Sequence, residues 1–461
     1  MTFSEYLCGL AGKRVAVIGA GISNTPLIEA LLAAGVETTV YDKMTRDGLG
    51  GDAERFESLG AELRLGDGYL DDLGADVIFR TPGVMPSNPA IVAAVGNGAA
   101  LTSEIEVFFD VCPCPIIAVT GSDGKTTTTT IIAEILRKSG HTVHVGGNIG
   151  TPLLCAADDI TAADVAVLEL SSFQLITMNR SPRIAVVTNV AQNHLDVHRD
   201  MREYIDAKRN IYMHQSGADA LILNYDNEIT RGFADQAGGK LRFFSSRERV
   251  ADGCFLSGGT IFEAENGAAD AVMSVCDILI PGAHNVENYM AAIAAVRGLA
   301  DRGAIPEVAR TFRGVEHRIE FVRELRGARY YNDSIASSPT RTIAGLRAFD
   351  RKVILIAGGK DKGVEFDSLG EEIVKRVKTL VLTGLTAGRI REATVQASRR
   401  TGDKPDIVVI EDFENAVMTA SSAAREGDVV LLSPACTSFD RFRNFEERGE
   451  LFKSIVMGMK V

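Results

Sequence analysis

Thr120-Gly-Ser-Asp-Gly-Lys125-Thr126-Thr127 lies between the apolar, β-branched run Pro115-Ile-Ile-Ala-Val119 and a helix-like stretch from Thr127 to Lys138. Strand, glycine loop with a lysine, then helix is the order that builds an anion cradle. Gly121, Ser122, Asp123 and Gly124 let backbone N–H groups converge on phosphate, and the helix N-terminus adds positive potential. Lys125 can reach terminal phosphates and the Thr126 hydroxyl can bind Mg2+. The match to Gly-x-x-x-x-Gly-Lys-Ser/Thr is incomplete, because Val119 stands at the first glycine position.

The chain as a whole reads as three α/β blocks of alternating strands and helices, which implies parallel sheets with right-handed crossovers. The expected domains are 1–111, 112–313 and 314–461. In the first block Arg14-Val-Ala-Val-Ile18 reads as a buried strand, Pro26 to Ala34 as a helix, and Glu37-Thr-Thr-Val-Tyr41 and Ala75-Asp-Val-Ile-Phe79 as further strands. The second carries strands at 116–120, 165–170, 184–189 and 220–224. Its 240–280 segment has short apolar runs broken by glycines, which predicts a small antiparallel patch instead of more βα units. A helix follows from about His284. The third block has strand candidates at 330–332, 353–357, 379–382, 407–410 and 429–432, with a helix over 413–425.

Composition narrows the class. A chain of 461 residues exceeds a single core, and 46% hydrophobic with 24% charged residues fits a globular enzyme. The net charge of −12 argues against a broad nucleic-acid or membrane surface. No apolar run is long enough to span a bilayer, and the N-terminus lacks a basic leader, so a cytoplasmic protein is expected. Of the seven cysteines only Cys112-Pro-Cys114 is close-spaced. That segment offers too few ligands for a metal, and free thiols in a reducing compartment are expected.

Further motifs carry chemistry. Gly19-Ala-Gly21-Ile-Ser-Asn24 follows the first strand and starts like a dinucleotide fingerprint, with Asp42 near the ribose-binding position. It ends in Asn24, which favours another diphosphate nucleotide over a nicotinamide; a ligand-free tight turn is the bland alternative. Ala166-Val-Leu-Glu169-Leu-Ser-Ser-Phe-Gln174 puts Glu169 at the end of a strand in the phosphate-loop sheet, where a carboxylate can complete the shell of a phosphate-bound Mg2+. The alternative there is a surface ion pair. His194 lies in the loop after the next strand. Lys208, on the amphipathic segment Tyr204–Tyr212, reads on its own as a snorkelling lysine. Asn285 and Asn288 are three apart on a helix and can read a purine edge, or else simply cap the helix. Arg318 and Asp333 suit a nucleotide at a domain boundary. Gly358-Gly359-Lys360-Asp361-Lys362-Gly363 follows a strand and can hold a carboxylate through Lys362.

Together and in this order, these segments resemble the Mur ligase family of peptidoglycan biosynthesis. The likeness covers essentially the whole chain: the phosphate loop, ELSSFQL, NHLD, the helical lysine, HNxxN, the HR pair, NDS, GGxDKG and SPACTSFD. It implies a three-domain architecture: an N-terminal Rossmann-like UDP-binding domain, a central P-loop ATPase domain and a C-terminal Rossmann-like domain. The last two segments and the GAGISN opening most resemble the branch that adds D-glutamate to UDP-N-acetylmuramoyl-L-alanine. The implied reaction is ATP-dependent carboxylate activation, acyl-phosphate formation and amide formation. The implied cofactors are ATP and two Mg2+ ions, the implied partners only the small substrates, and the implied state a monomer.

By position, the resemblance gives Lys125, Glu169, His194 and Lys208 catalytic roles. Thr126, Glu169, His194 and Lys208 hold the metals, Lys208 as a CO2-derived carbamate. The loop 121–127 with Asn285, Asn288, Arg318 and Asp333 handles ATP. Ser23, Asn24, Asp42, Thr81 and Asn148 handle the UDP substrate, and Ser337, Lys362, Ser438 and the backbone near Phe445 handle D-glutamate. One departure stands out: after Asn332-Asp333-Ser334 many relatives have Lys-Ala-Thr, whereas Ile335-Ala336-Ser337 stands here. Other readings are a Mur-type or folylpolyglutamate synthase-like ligase with a different amino acid, and a nucleotide-binding regulatory protein without turnover.

Overall fold

Runs of β-branched and aliphatic residues form strands that are buried on both faces, as parallel sheets covered by helices require. The computed structural model describes residues 1–191, 197–360 and 363–460. Three sheets appear. The first is wholly parallel, with strands in the order Glu62–Leu65, Glu37–Asp42, Arg14–Ile18, Val77–Arg80 and Ala100–Thr102.

The central sheet has nine strands. Ile116–Thr120 lies between Val165–Glu169 and Ile184–Val187, with Val143–Gly147 at one edge. Beyond Ile184–Val187 come Ala220–Asn224 and Lys240–Ser245, both parallel. The antiparallel patch expected over 240–280 is present as Gly253–Ser257, Thr260–Glu265 and Ala268–Ser274. It is not a separate piece: Gly253–Ser257 pairs in parallel with Lys240–Ser245 and so continues the central sheet.

The third sheet runs Glu320–Leu325, Ala328–Asn332, Val429–Leu432, Val353–Ala357, Val377–Leu382 and Asp406–Val409. All neighbours are parallel except the edge strand Glu320–Leu325, which is an antiparallel addition to the expected set.

The chain packs as two compact units. One comprises Met1–Ser274 with Glu287–Val308, and the other Val275–Val286 with Ala309–Val461. In the first unit a single core links the first two sheets: Val17, Phe56, Phe79 and Phe108 cluster with Ala118, Leu168, Val187 and Leu223. In the second, Leu355, Leu380 and Leu431 pack on one face of the sheet, and Ile354, Val430 and Phe452 on the other. Each fully buried Leu, Val or Phe contributes about 1.5–3 kcal/mol relative to exposure.

Candidate functional site

Ligands of open parallel sheets sit beyond the carboxyl ends of the strands. The phosphate loop leaves the end of Ile116–Thr120, and the helix Lys125–Lys138 begins directly after Gly124, which is left-handed with φ of 78°. Gly121 has φ of 151°. A Cβ at Gly121 would collide with the Thr188 hydroxyl, and one at Gly124 with the Asn288 amide oxygen. Side chains can occupy neither position without shifting a neighbour.

The loop is tied on several sides. The Thr188 hydroxyl donates to the Asp123 carbonyl at 2.6 Å, and Asp123 N–H donates to Asn189 Oδ1 at 2.9 Å. Ser122 Oγ sits 2.9 Å from the Tyr204 hydroxyl and also accepts from Ala191 N–H. Lys125 Nζ donates to the carbonyls of Gly121 and Ser122, each at 3.0 Å. The Thr128 hydroxyl donates to Asn288 Oδ1 at 3.2 Å, which joins the helix after the loop to helix Ala283–Val296.

Glu169 ends the neighbouring strand and is 2% exposed. The Thr126 hydroxyl donates to its Oε2 at 2.6 Å, and the Asn148 amide to its Oε1 at 2.8 Å. Both partners are neutral, so neither cancels the carboxylate charge. A buried carboxylate beside a threonine hydroxyl is the hard oxygen donor set that suits Mg2+, and the residues fit that ion. Lys208 is 1% exposed. Its Nζ donates to the Gly121 carbonyl at 2.8 Å and lies 4.6 Å from the centre of the Tyr204 ring. Burial, and after it the positive charge of Lys125, holds its pKa well below the usual lysine range. Lys125, Thr126, Asn148, Glu169, Lys208 and Asn288 therefore gather at one end of the central sheet. His194 lies outside the described residues.

In the first sheet's opening loop the polar side chains face the backbone. Asn24 donates to the carbonyls of Ile18 and Gly19, and Asp42 accepts from the N–H groups of Ala20 and Met44. Asn24 and Asp42 are buried, whereas Ser23 and Thr81 are half-buried.

In the second unit, Asp333 is buried, and its carboxylate accepts from Ser433 Oγ at 2.7 Å and Ile319 N–H at 3.3 Å. Burial pushes its pKa up to about 7. Arg318 is exposed, Ser337 half-buried and Ser438 buried, and the carbonyl of Phe445 accepts from Ser334 Oγ at 2.7 Å. Asn285 is buried and donates to the Pro281 carbonyl at 2.6 Å. Lys362 lies outside the described residues. At the departure after Ser334, the guanidinium of Arg341 reaches the Ile335 carbonyl at 3.3 Å, which brings a cation to that segment.

Sequence reasoning missed Tyr204 and Arg448. Arg448 is 2% exposed and donates to Ser334 Oγ, to the Ser334 carbonyl and to the Cys436 carbonyl, sewing two proposed substrate segments together. Burial lowers its pKa to about 10. The Arg448 signal was masked by its neighbours Glu446, Glu447 and Glu450, which read as a solvated face. Tyr204 lies one helical turn before Lys208, and that spacing was available.

Residues 119–296 match the Mur ligase middle domain and residues 317–436 the Mur ligase glutamate ligase domain. The chain is 51% identical, over 98% of both proteins, to UDP-N-acetylmuramoylalanine–D-glutamate ligase of Acetivibrio thermocellus. It is 49% identical, over 99% of both, to the protein of the same name from Ruminiclostridium cellulolyticum. The fold resembles the crystal structure of UDP-N-acetylmuramate-alanine ligase from Thermotoga maritima, with a TM-score of 0.57 at 18% identity over 97% of this chain and 100% of that one. The phosphate loop, the Glu169 cluster and the full-length likeness agree, and the chain belongs to the Mur ligase family.

Proposed function

We propose that the chain is an ATP-dependent ligase that joins D-glutamate to UDP-N-acetylmuramoyl-L-alanine in peptidoglycan biosynthesis. The observation that carries this reading is 51% identity over 98% of both chains to a relative of that name. In the proposed reaction a carboxylate oxygen of the L-alanyl end attacks the terminal phosphorus of ATP, and ADP leaves. The D-glutamate amine then attacks the acyl-phosphate carbon. The tetrahedral adduct expels phosphate and loses a proton, leaving an amide.

The physical obstacle is repulsion between two anions. The loop N–H groups, Lys125 and the helix N-terminus oppose it with fixed positive potential. Thr126 and Glu169 would hold Mg2+, which supplies charge neutralisation on the phosphates. His194 and Lys208 complete our proposed ligand set for two ions. Lys208 joins it as a carbamate, because a neutral buried amine is the form that adds CO2. Asn285, Asn288, Arg318 and Asp333 handle the nucleotide. Ser23, Asn24, Asp42, Thr81 and Asn148 handle the UDP-sugar, with Asn24 and Asp42 acting by shaping the loop backbone. Ser337, Lys362, Ser438 and the Phe445 backbone face D-glutamate.

We assign the expected domains 1–111, 112–313 and 314–461 to UDP-sugar, ATP and amino acid respectively. The proposal includes a cytoplasmic monomer that engages neither nucleic acid nor membrane; the net charge of −12 disfavours an anionic polymer. Among the described residues, no helix is long and apolar enough to cross a membrane.

The test is phosphate release with ATP, Mg2+ and the UDP-linked L-alanyl substrate across a panel of amino acids. Release that needs D-glutamate supports the reading. Equal release with another amino acid reassigns specificity within the family, and no release with any of them sinks the enzyme.

A further inference from the structure

Two cysteines that the ligase chemistry does not use meet where the first sheet's last helix turns into the phosphate-loop strand. Helix Glu104–Val111 is capped by Cys112, whose ψ of 119° leads the chain out of the helix, and strand Ile116–Thr120 opens four residues later. Side chains two apart on an extended strand face the same way, but their Cα atoms stand about 6.6 Å apart. Here Pro113 and a bend at Cys114 interrupt the extended run, and the two Sγ atoms lie only 3.5 Å apart. Cys112 is half-buried and so open to a small reagent, whereas Cys114 is buried behind it.

A tetrahedral zinc site would need more ligands than two thiolates. Among the described residues the one cluster of three or more candidate ligand atoms is Glu316, His317 and Glu450, which does not include this pair. Adjacent thiols are suited to exchange with a disulfide.

We propose that Cys112 and Cys114 are a reversible dithiol modification site, oxidised by a low-molecular-weight disulfide to an intramolecular disulfide across Pro113. The Cys112 thiolate attacks one sulfur of the reagent RSSR, the reagent's S–S bond breaks and RS− leaves. The Cys114 thiol, losing its proton to solvent, attacks Cys112 Sγ, breaks the mixed disulfide and releases a second RS−. Both RS− take up protons, so two protein thiols and RSSR become one protein disulfide and two RSH. The order of attack follows from access: Cys112 is half-buried and meets the reagent first, whereas Cys114 is buried. Closing the bond requires the Sγ–Sγ distance to fall from 3.5 Å to the ~2.05 Å of a disulfide. The product would stiffen the segment that leads into the phosphate loop.

The experiment treats the folded, full-length protein with glutathione disulfide, alkylates the remaining thiols and maps them by peptide mass. The expected result is a peptide containing Cys112 and Cys114 that has lost two hydrogens, resists alkylation and is restored by dithiothreitol. Exposed Cys8, Cys155 and Cys276 serve as controls for simple glutathione adducts. In Cys114→Ser the reaction should halt with glutathione on Cys112. If that buried substitution does not fold, the half-buried Cys112→Ser should leave the peptide free of both products. A glutathione adduct that persists on wild-type Cys112 overturns the proposal. So do two thiols that remain alkylatable while Cys8 is consumed.

Discussion

Lys208 is a long cation placed where water cannot hydrate it. Its amine touches a loop carbonyl and the face of Tyr204, close to the charge of Lys125. Each of these surroundings can be tolerated by a neutral amine, and burial makes the protonated form costly. Lys208→Arg cannot lose its proton or add CO2. It is expected to lower ligase turnover by ~10²-fold or more, the scale of lost electrostatic stabilisation. Labelled CO2 should give a carbamate carbon signal in the wild type, absent in the variant; its absence in active wild type would refute the carbamate.

Asp333 poses the complementary problem. Its carboxyl is buried with two hydrogen-bond donors, and its pKa is pushed up to about 7. The folded state therefore keeps a proton that the unfolded chain gives up at an ordinary aspartate pKa near 3.8. Below about pH 4 both states are protonated and the group is silent. As pH rises toward 7 stability falls, then levels off at a loss on the order of a few kcal/mol. Asp333→Asn mimics the protonated form. It should melt higher than wild type at pH 8 and no higher at pH 4, while losing ATP turnover. Equal melting differences at both pH values would remove burial as the source of the shift.

Among the elements, the phosphate loop shows how little freedom the fold leaves. Gly124 is left-handed and abuts Asn288, which in turn accepts from Thr128. Gly124→Ala adds left-handed strain of about 1–2 kcal/mol and must also push Asn288 aside. We expect a lower melting temperature and a raised KM for ATP, with the KM for D-glutamate unchanged. Steady-state kinetics with each substrate varied in turn decide this. The same element explains what the sequence made legible. Strands buried on both faces are written as apolar runs, so Arg14–Ile18, Ile116–Thr120, Val353–Ala357 and Val429–Leu432 coincide with their expected limits. The helix after the loop begins at Lys125, two residues early, because a glycine cap leaves no side-chain signature. Edge strand Glu320–Leu325 was invisible: Phe321-Val322 and Arg323-Glu324 come in like pairs, so the strict alternation that marks a half-buried strand is missing. Lys208 was legible only through family likeness, because an amphipathic helix gives the same pattern whether its lysine is solvated or entombed.

The acidic chain confines its positive potential to local cradles, and its apolar cores determine what folds with what. The first and central sheets, separate blocks in sequence, share one core that contains both Phe79 and Leu168. Leu355 belongs to a core of the other unit. Sequence periodicity reports which face of an element is buried but not which sheet supplies its cover, so three blocks were readable and the shared core was not. This sharing predicts the pattern of thermal unfolding. Phe79→Ala and Leu168→Ala each remove fully buried volume and should cost ~2–5 kcal/mol. Both should depress the same calorimetric transition, because the first two sheets lose their common core together. Leu355→Ala should depress a different one. Scans at several heating rates are needed to separate equilibrium from kinetic shifts. If Phe79→Ala and Leu168→Ala moved separate transitions, the first two sheets would be independent folding units, and their joint core would be contact without cooperativity.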